Sequence, residues 1–315
     1  MRRLGRVAGA VALALTLAGC KVGGPLPSAE GPLPPGVTAA AQAIETPRGP
    51  LALTVWAPEG PPRALLLALH GYGETAETAF GTSAPGWADR GVLVYAPDQR
   101  GFGRNPSNRR WPGPDALVED AAAVAAEVAA RHPELPLTVL GFSMGGAVAL
   151  AAAGEGRLPE GARLILLAPG LWGGDQLGPL YRAGAWAAAA VIPDMRFSAE
   201  DSPRRIRPTD NWEELRRISE DPARFADPSP RELLGLIRLM DRALAAAPGA
   251  PAGTLTVVGV NDEVVPPEAV RAGHGLLPGP KDYVEAPEGW HMLLIDLEAQ
   301  AVRDLVAERL LEGAE

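Results

Sequence analysis

The sequence holds one cysteine, four histidines and no run of lysine or arginine long enough to make a basic face. A single thiol cannot close an internal disulfide, so there is no thiol framework to explain. The missing basic stretch, together with a net charge of −9, excludes the electrostatic footprint of a nucleic-acid binder. The acidity is that of a solvated surface. With 47% hydrophobic and 21% charged residues, the chain has the balance of a soluble globular protein. At 315 residues it suits one large α/β domain or two small ones, and it buries a sizeable core without disulfides or metals.

The N-terminus departs from that balance. Arg2, Arg3 and Arg6 form a positive region, and residues 7–18 are apolar but too short to span a membrane comfortably. This is the form of a secretory signal. Leu17-Ala18-Gly19-Cys20 resembles the lipobox of bacterial lipoproteins. The resemblance implies removal of residues 1–19 and acylation of Cys20. The protein is then expected in the bacterial cell envelope, held to a membrane through its lipidated cysteine. Lys21 follows in place of Asp, which in the lipoprotein pattern favours the outer membrane of a host that has one. Residues 20–36 are rich in proline and glycine and read as a semi-rigid tether, leaving residues 37–315 as the folded domain.

Strand-like and helix-like stretches alternate through that domain. Apolar runs at 40–44, 51–57, 64–69, 91–96, 137–142, 162–167, 254–260 and 281–285 predict strands. The first two read as an antiparallel pair, and 64–69 as a strand buried on both faces. Residues 115–131, stopped by Pro133, and the alanine-rich 144–153 predict helices. Residues 291–311 predict a closing helix opened by His291. The alternation predicts an α/β fold, a mostly parallel sheet with helices on both faces. Residues from about 171 to 248 break the pattern, with helical patches, Trp172, Trp186, Trp212 and an apolar stretch at 183–192. An insertion there lies above the carboxyl ends of the strands, where open α/β sheets bind ligands, and reads as a helical cap.

Four short stretches carry chemistry. Gly141-Phe142-Ser143-Met144-Gly145 is a G-x-S-x-G motif between a strand and a helix, the setting of a nucleophile elbow. The sharp turn forces Ser143 into strained backbone angles and lifts its hydroxyl to a helix N-terminus. His70-Gly71-Tyr72-Gly73 directly follows a predicted strand and has the form of an oxyanion loop. The backbone N–H groups of Tyr72 and Met144 are the expected donors to a developing O⁻. Asp262 sits on the loop after a late strand, where a carboxylate can orient a histidine; Glu263 is its neighbouring competitor. Among the histidines, His70 precedes the serine and is expected to brace its loop. His132 reads as a surface helix cap, and His274, between two glycines, as part of a surface turn. Only His291 follows the acid and the last strand, in the order Ser, Asp, His.

These residues resemble the α/β-hydrolase family, and within it the monoacylglycerol lipase and lysophospholipase branch grouped with serine aminopeptidase S33-like hydrolases. The likeness rests on His70-Gly71-Tyr72-Gly73-Glu74, Asp98-Gln99-Arg100-Gly101-Phe102-Gly103, Gly141 to Gly146, the Asp262 loop and Gly289-Trp290-His291. It covers most of residues 40–311 and is weakest in the cap. Asn105 stands where the family often has serine, in a loop expected to be structural, and Arg100 is expected to brace loops. The resemblance implies a serine hydrolase that works through an acyl-enzyme on a monoacylglycerol or lysophospholipid-type ester, without metal or organic cofactor. Trp172, Trp186 and the 183–192 stretch are expected to wall the acyl chain. The same groups would serve a small soluble ester, a thioester or an amide. A non-catalytic binding lipoprotein is the alternative from another class. Ser143 at the elbow excludes epoxide hydrolase and dehalogenase chemistry, which places Asp there.

Overall fold

Every residue of β3 (Ala64–Leu69) is buried, and its side chains alternate between two cores. Leu65, Leu67 and Leu69 face one layer of helices, while Ala64, Leu66 and Ala68 face the other. A strand covered on both sides reads as a continuous apolar run for this reason. The computed structural model describes residues 38–173, 176–197 and 206–313. The expected signal and tether, Cys20 included, lie outside them.

Around β3 the chain builds an eight-stranded sheet from β1 (Thr38–Ile44), β2 (Leu51–Ala57), β4 (Val92–Pro97), β5 (Leu137–Phe142), β6 (Arg163–Leu167), β7 (Thr254–Gly259) and β8 (Lys281–Ala286). The strand order is β1-β2-β4-β3-β5-β6-β7-β8. β2 runs antiparallel to β1 and β4, and all other neighbours are parallel. The strand order reverses at β3, with β4 on one side and β5 on the other, so a crevice opens above the carboxyl ends of β3 and β5.

The helices between the strands are α1 (Ala76–Phe80), α2 (Ala84–Asp89), α3 (Pro114–Arg131), α4 (Met144–Gly154) and α8 (Pro267–Gly275), and α9 (Ala299–Leu311) follows the last strand. Leu117, Val118, Val124 and Val128 of α3 join the core on one face, with α4. Trp87 of α2 and Val302, Val306 and Leu310 of α9 join the core on the other. α4 is buried from Met144 to Ala153 because it lies between the sheet and a further layer. That layer belongs to the segment between β6 and β7, which forms α5 (Pro179–Val191), α6 (Trp212–Ser219) and α7 (Pro230–Ala246). α7 packs directly on α4. Of the expected cap, residues 174–175 and 198–205 lie outside the described residues.

Two expectations are corrected here. The closing helix begins at Ala299, so His291 lies in a stretch of turns rather than at a helix start. The reason is long-range. The Met292 N–H donates to the Pro208 carbonyl at 2.9 Å, and Asp296 accepts from the Trp290 N–H at 2.7 Å and the Thr209 hydroxyl at 2.6 Å. These partners replace the helix ladder. His274 sits inside α8, buried, with Nδ1 3.0 Å from the Thr256 hydroxyl. The flanking glycines suggested a turn, but packing against β7 overrides their weak helix preference.

Candidate active site

β5 ends at Phe142 and α4 begins at Met144, so the chain reverses within one residue, Ser143. That residue has φ 51° and ψ −116°, a conformation that costs a side-chain-bearing residue about 1–3 kcal/mol. Its surroundings enforce it. The Ser143 N–H donates to the Leu167 carbonyl at 3.0 Å, and the Ser143 carbonyl accepts from Gly146 at 2.9 Å and Gly170 at 2.8 Å. The turn also needs the motif's last glycine. A Cβ on Gly145 would lie 2.1 Å from the Leu69 carbonyl oxygen. The elbow is thus pressed against the end of β3, the strand that leads into the oxyanion loop.

The structure brings three predicted side chains together. Ser143 Oγ lies 2.9 Å from His291 Nε2, and His291 Nδ1 lies 2.8 Å from Asp262 Oδ2. With the carboxylate accepting from Nδ1–H, Nε2 is left to accept from the serine hydroxyl. Asp262 is itself fixed, because its Oδ1 accepts from the Val264 and Val265 N–H groups at 2.8 and 2.9 Å. Glu263 turns away and accepts from the Arg207 N–H at 2.8 Å. Burial pulls the His291 imidazole toward its neutral form, but Asp262, with Glu74 and Asp296 farther off, prevails and holds its pKa above the ordinary value.

Tyr72 and Met144 line the same cavity as Ser143. Met144 is the first residue of α4, so its N–H has no partner within the helix. The oxyanion loop is held from below. Glu74 accepts from the Gly71 N–H at 2.9 Å, and burial pushes its carboxyl above the usual range. His70 accepts from the Gln99 N–H through Nε2 at 2.8 Å and donates from Nδ1 to the Gly71 carbonyl at 2.7 Å. It is a brace, as its place before the serine implied. Arg100 pairs with Asp120 at 2.6 Å, and Asn105 donates to the Asp98 and Gln99 carbonyls at 2.6 and 3.0 Å, so both stabilise loops. His132 caps α3, its Nε2 2.9 Å from the Tyr95 hydroxyl.

Above Ser143 lies a cavity of about 980 Å³. Tyr181, Ala185 and Ala188 of α5 form one wall, Leu236 and Met240 of α7 another, and Trp172 joins them. Helical spacing puts residues 181, 185 and 188 on one stripe. Trp186 lies off that stripe, is 63% exposed, and is not part of the wall it was expected to form. Among the described residues, no cluster of His, Cys, Asp or Glu side chains has the form of a metal site.

The cap does more than roof the cavity. The Phe225 N–H donates to the Gly73 carbonyl at 2.9 Å, and Glu232 of α7 accepts from the Tyr72 hydroxyl at 2.7 Å. Arg207 meets Glu263, while Pro208 and Thr209 hold the His291 loop through Met292 and Asp296. Sequence reasoning missed Glu232, Thr209 and Asp296. Only Ser229-Pro230-Arg231-Glu232 carried a local signal, a capping box, and it marks a helix start rather than a partner for Tyr72.

Known proteins share this chain's sequence pattern and fold. The family described as serine aminopeptidase, S33, matches residues 60–298. A monoacylglycerol lipase of Mycolicibacterium smegmatis is 32% identical over 218 residues, which is 67% of this chain and 75% of the relative. A monoacylglycerol lipase of Paleococcus ferrophilus superposes with a TM-score of 0.67 at 22% identity, over 87% of this chain and 99% of that one. A soluble variant of the Saccharomyces cerevisiae monoglyceride lipase, in complex with a substrate analogue, reaches 0.72 at 16% identity, over 87% of this chain and 95% of that one.

Proposed function

This chain belongs to the serine aminopeptidase S33 family of α/β-hydrolases, and from that premise we propose that it hydrolyses monoacylglycerol-type lipid esters through a Ser143 acyl-enzyme. The observation that carries the proposal is the hydrogen-bonded chain Ser143–His291–Asp262 at the floor of an apolar cavity of about 980 Å³. His291 takes the hydroxyl proton as Ser143 Oγ attacks the ester carbonyl. Asp262 stabilises the imidazolium and fixes the tautomer. The Tyr72 and Met144 amides receive the oxyanion, each such donor being worth about 2.7–4 kcal/mol of barrier. His291 then protonates the leaving alcohol, and water, activated by the same imidazole, releases the fatty acid. The walls of α5 and α7 hold the acyl chain, whose burial contributes roughly 0.8 kcal/mol per methylene.

The anchor belongs to the same reading. Cys20, acylated after removal of residues 1–19, would hold the enzyme at an envelope membrane, possession of an outer membrane by the host deciding which one. Among the described residues no helix is long and apolar enough to cross a membrane. Metabolic labelling with an alkynyl fatty acid, lost in Cys20→Ser together with membrane fractionation, tests this part.

The enzymatic part is tested with a fluorophosphonate probe and monoacylglycerol turnover. The wild type should be labelled and Ser143→Ala should not, with turnover falling about 10⁵–10⁶-fold in the variant. An unlabelled wild type would leave a binding protein on a hydrolase fold. Labelling with a preference for acetate esters over long-chain monoacylglycerols would overturn the lipid substrate alone.

A further inference from the structure

The residue between the two glycines of the oxyanion loop is a tyrosine, and its two ends do different things. Its backbone N–H lies on the loop that follows β3, beside Ser143. Its phenol donates a 2.7 Å hydrogen bond to Glu232 Oε2 in the first turn of cap helix α7. The hydroxyl is therefore engaged by the cap and does not itself serve the reacting carbonyl. Burial and the adjacent carboxylate both keep the phenol in its neutral, proton-donating form.

Glu232 is a firm anchor. It is 2% exposed, and its Oε2 also accepts from the Ser229 N–H at 2.8 Å. Arg196, which follows α5, donates to its Oε1 at 3.0 Å, and also to the Asp227 carbonyl at 2.7 Å and the Arg109 carbonyl at 3.0 Å. The guanidinium lies 5.3 Å from the centre of the Phe225 ring. Phe225 in turn closes on the loop from the other side, its N–H bonded to the Gly73 carbonyl and its ring edge-on to Tyr72 at 5.5 Å. Two attachments from the cap thus grip the oxyanion loop beside the Tyr72 amide: Glu232, backed by Arg196, on the phenol, and the Phe225 N–H on the Gly73 carbonyl.

We propose that the Tyr72 phenol is a positioning group: its hydrogen bond to Glu232, backed by Arg196, aims the Tyr72 backbone N–H at the oxyanion, so that the oxyanion hole is complete only when the cap is seated. The inference rests on the serine-hydrolase reading above and adds to it a link between cap and chemistry. An oxyanion hole works because its donors are aimed in advance, and a loop free to rotate at Tyr72 would forfeit part of that advantage. Seated on the loop, the cap thereby helps to hold the group that stabilises the transition state.

Tyr72→Phe removes one oxygen and keeps the ring contacts with Phe102 and Phe225. Glu232 retains Ser229 and Arg196, so the variant is expected to fold. On a p-nitrophenyl ester of medium chain length, kcat should fall about tenfold with KM within about twofold of wild type. The inhibition constant of an alkyl boronic acid, which forms a tetrahedral adduct on Ser143, should rise by the same factor. Fluorophosphonate labelling should persist, which separates failure of this inference from failure of the hydrolase reading. Introducing Glu232→Gln into the Tyr72→Phe background should add little, because both changes break one link. Unchanged kcat and boronate inhibition in a folded Tyr72→Phe would overturn the proposal. So would a kcat loss without a matching loss of boronate affinity, or fully multiplicative effects in the double variant.

Discussion

Ala185 is the position at which the acyl-chain wall is most simply tested. It lies on the α5 stripe that lines the cavity, between Tyr181 and Ala188, and its small side chain leaves the space open. Ala185→Trp would fill part of the cavity with an indole that reaches in about as far as four methylenes. At roughly 0.8 kcal/mol per buried methylene, a long acyl chain would lose about 3 kcal/mol, a factor of about 200 in kcat/KM. A butyryl ester, which does not extend that far, should change by only a few-fold. The measurement is kcat/KM across p-nitrophenyl esters from C4 to C16 in wild type and variant. In the wild type it should climb with chain length until the cavity is full; in the variant the climb should stop several carbons earlier. A variant that loses the same factor at C4 and C16 would refute the assignment, since general damage to the elbow acts on all chains alike. So would a variant identical to wild type at every length.

Other perturbations read other parts of the site. The raised pKa of His291 keeps its imidazole charged to higher pH than usual, and only the neutral ring can accept the Ser143 proton. The acid limb of kcat/KM should therefore lie above 6.5 and move down in Asp296→Asn, which removes one of the carboxylates that raise it. Asp296 also marks stability, because burial raises its own pKa from 3.8 to about 6. A carboxyl with a raised folded pKa binds its proton more tightly in the native state, so its contribution is lost as pH climbs from about 4 to 6. Urea melts should show wild type losing up to about 3 kcal/mol against Asp296→Asn over that interval, and a constant difference would contradict it. Gly73→Ala places a Cβ 1.9 Å from the Phe225 carbonyl oxygen at a residue with φ 73°. It should cost about 2–4 kcal/mol in urea unfolding, with activity falling alongside; a neutral outcome would mean the cap is not pressed on this loop.

What the sequence revealed and what it hid divide by the range of the interactions. The continuous apolar run at 64–69, the alanine-rich helix after Ser143 and the G-x-S-x-G turn are each dictated by residues within a dozen positions. All of them were legible. The order Ser143, Asp262, His291 was legible because the chain has so few histidines to choose from. The start of the last helix was not. Residues 291–298 have an acceptable helical pattern, but Pro208, Thr209 and Asn211 bind their N–H, carboxylate and carbonyl groups from eighty residues away. The same holds for His274, whose partner Thr256 lies on a neighbouring strand. Trp186 shows a different failure. Its apolar stretch was read as one wall, whereas the 3.6-residue period sends alternate parts of the stretch to opposite sides of α5.

Apart from Asp296, the unread residues share a location, and that location explains why they matter. Glu232, Arg207, Pro208 and Thr209 all belong to the insertion between β6 and β7, and each contacts a loop that carries one member of the site. A sheet holds the ends of its strands firmly, but the loops beyond those ends have no ladder to fix them. In this chain the cap supplies the missing partners: Glu232 to the oxyanion loop, the Arg207 amide to the acid loop, Pro208 and Thr209 to the base loop. A segment with that many attachments cannot swing away as a rigid lid without loosening the groups beneath it. α5 is tied instead to α7, through Arg182 and Asp241, and it meets the site through apolar side chains that line the cavity.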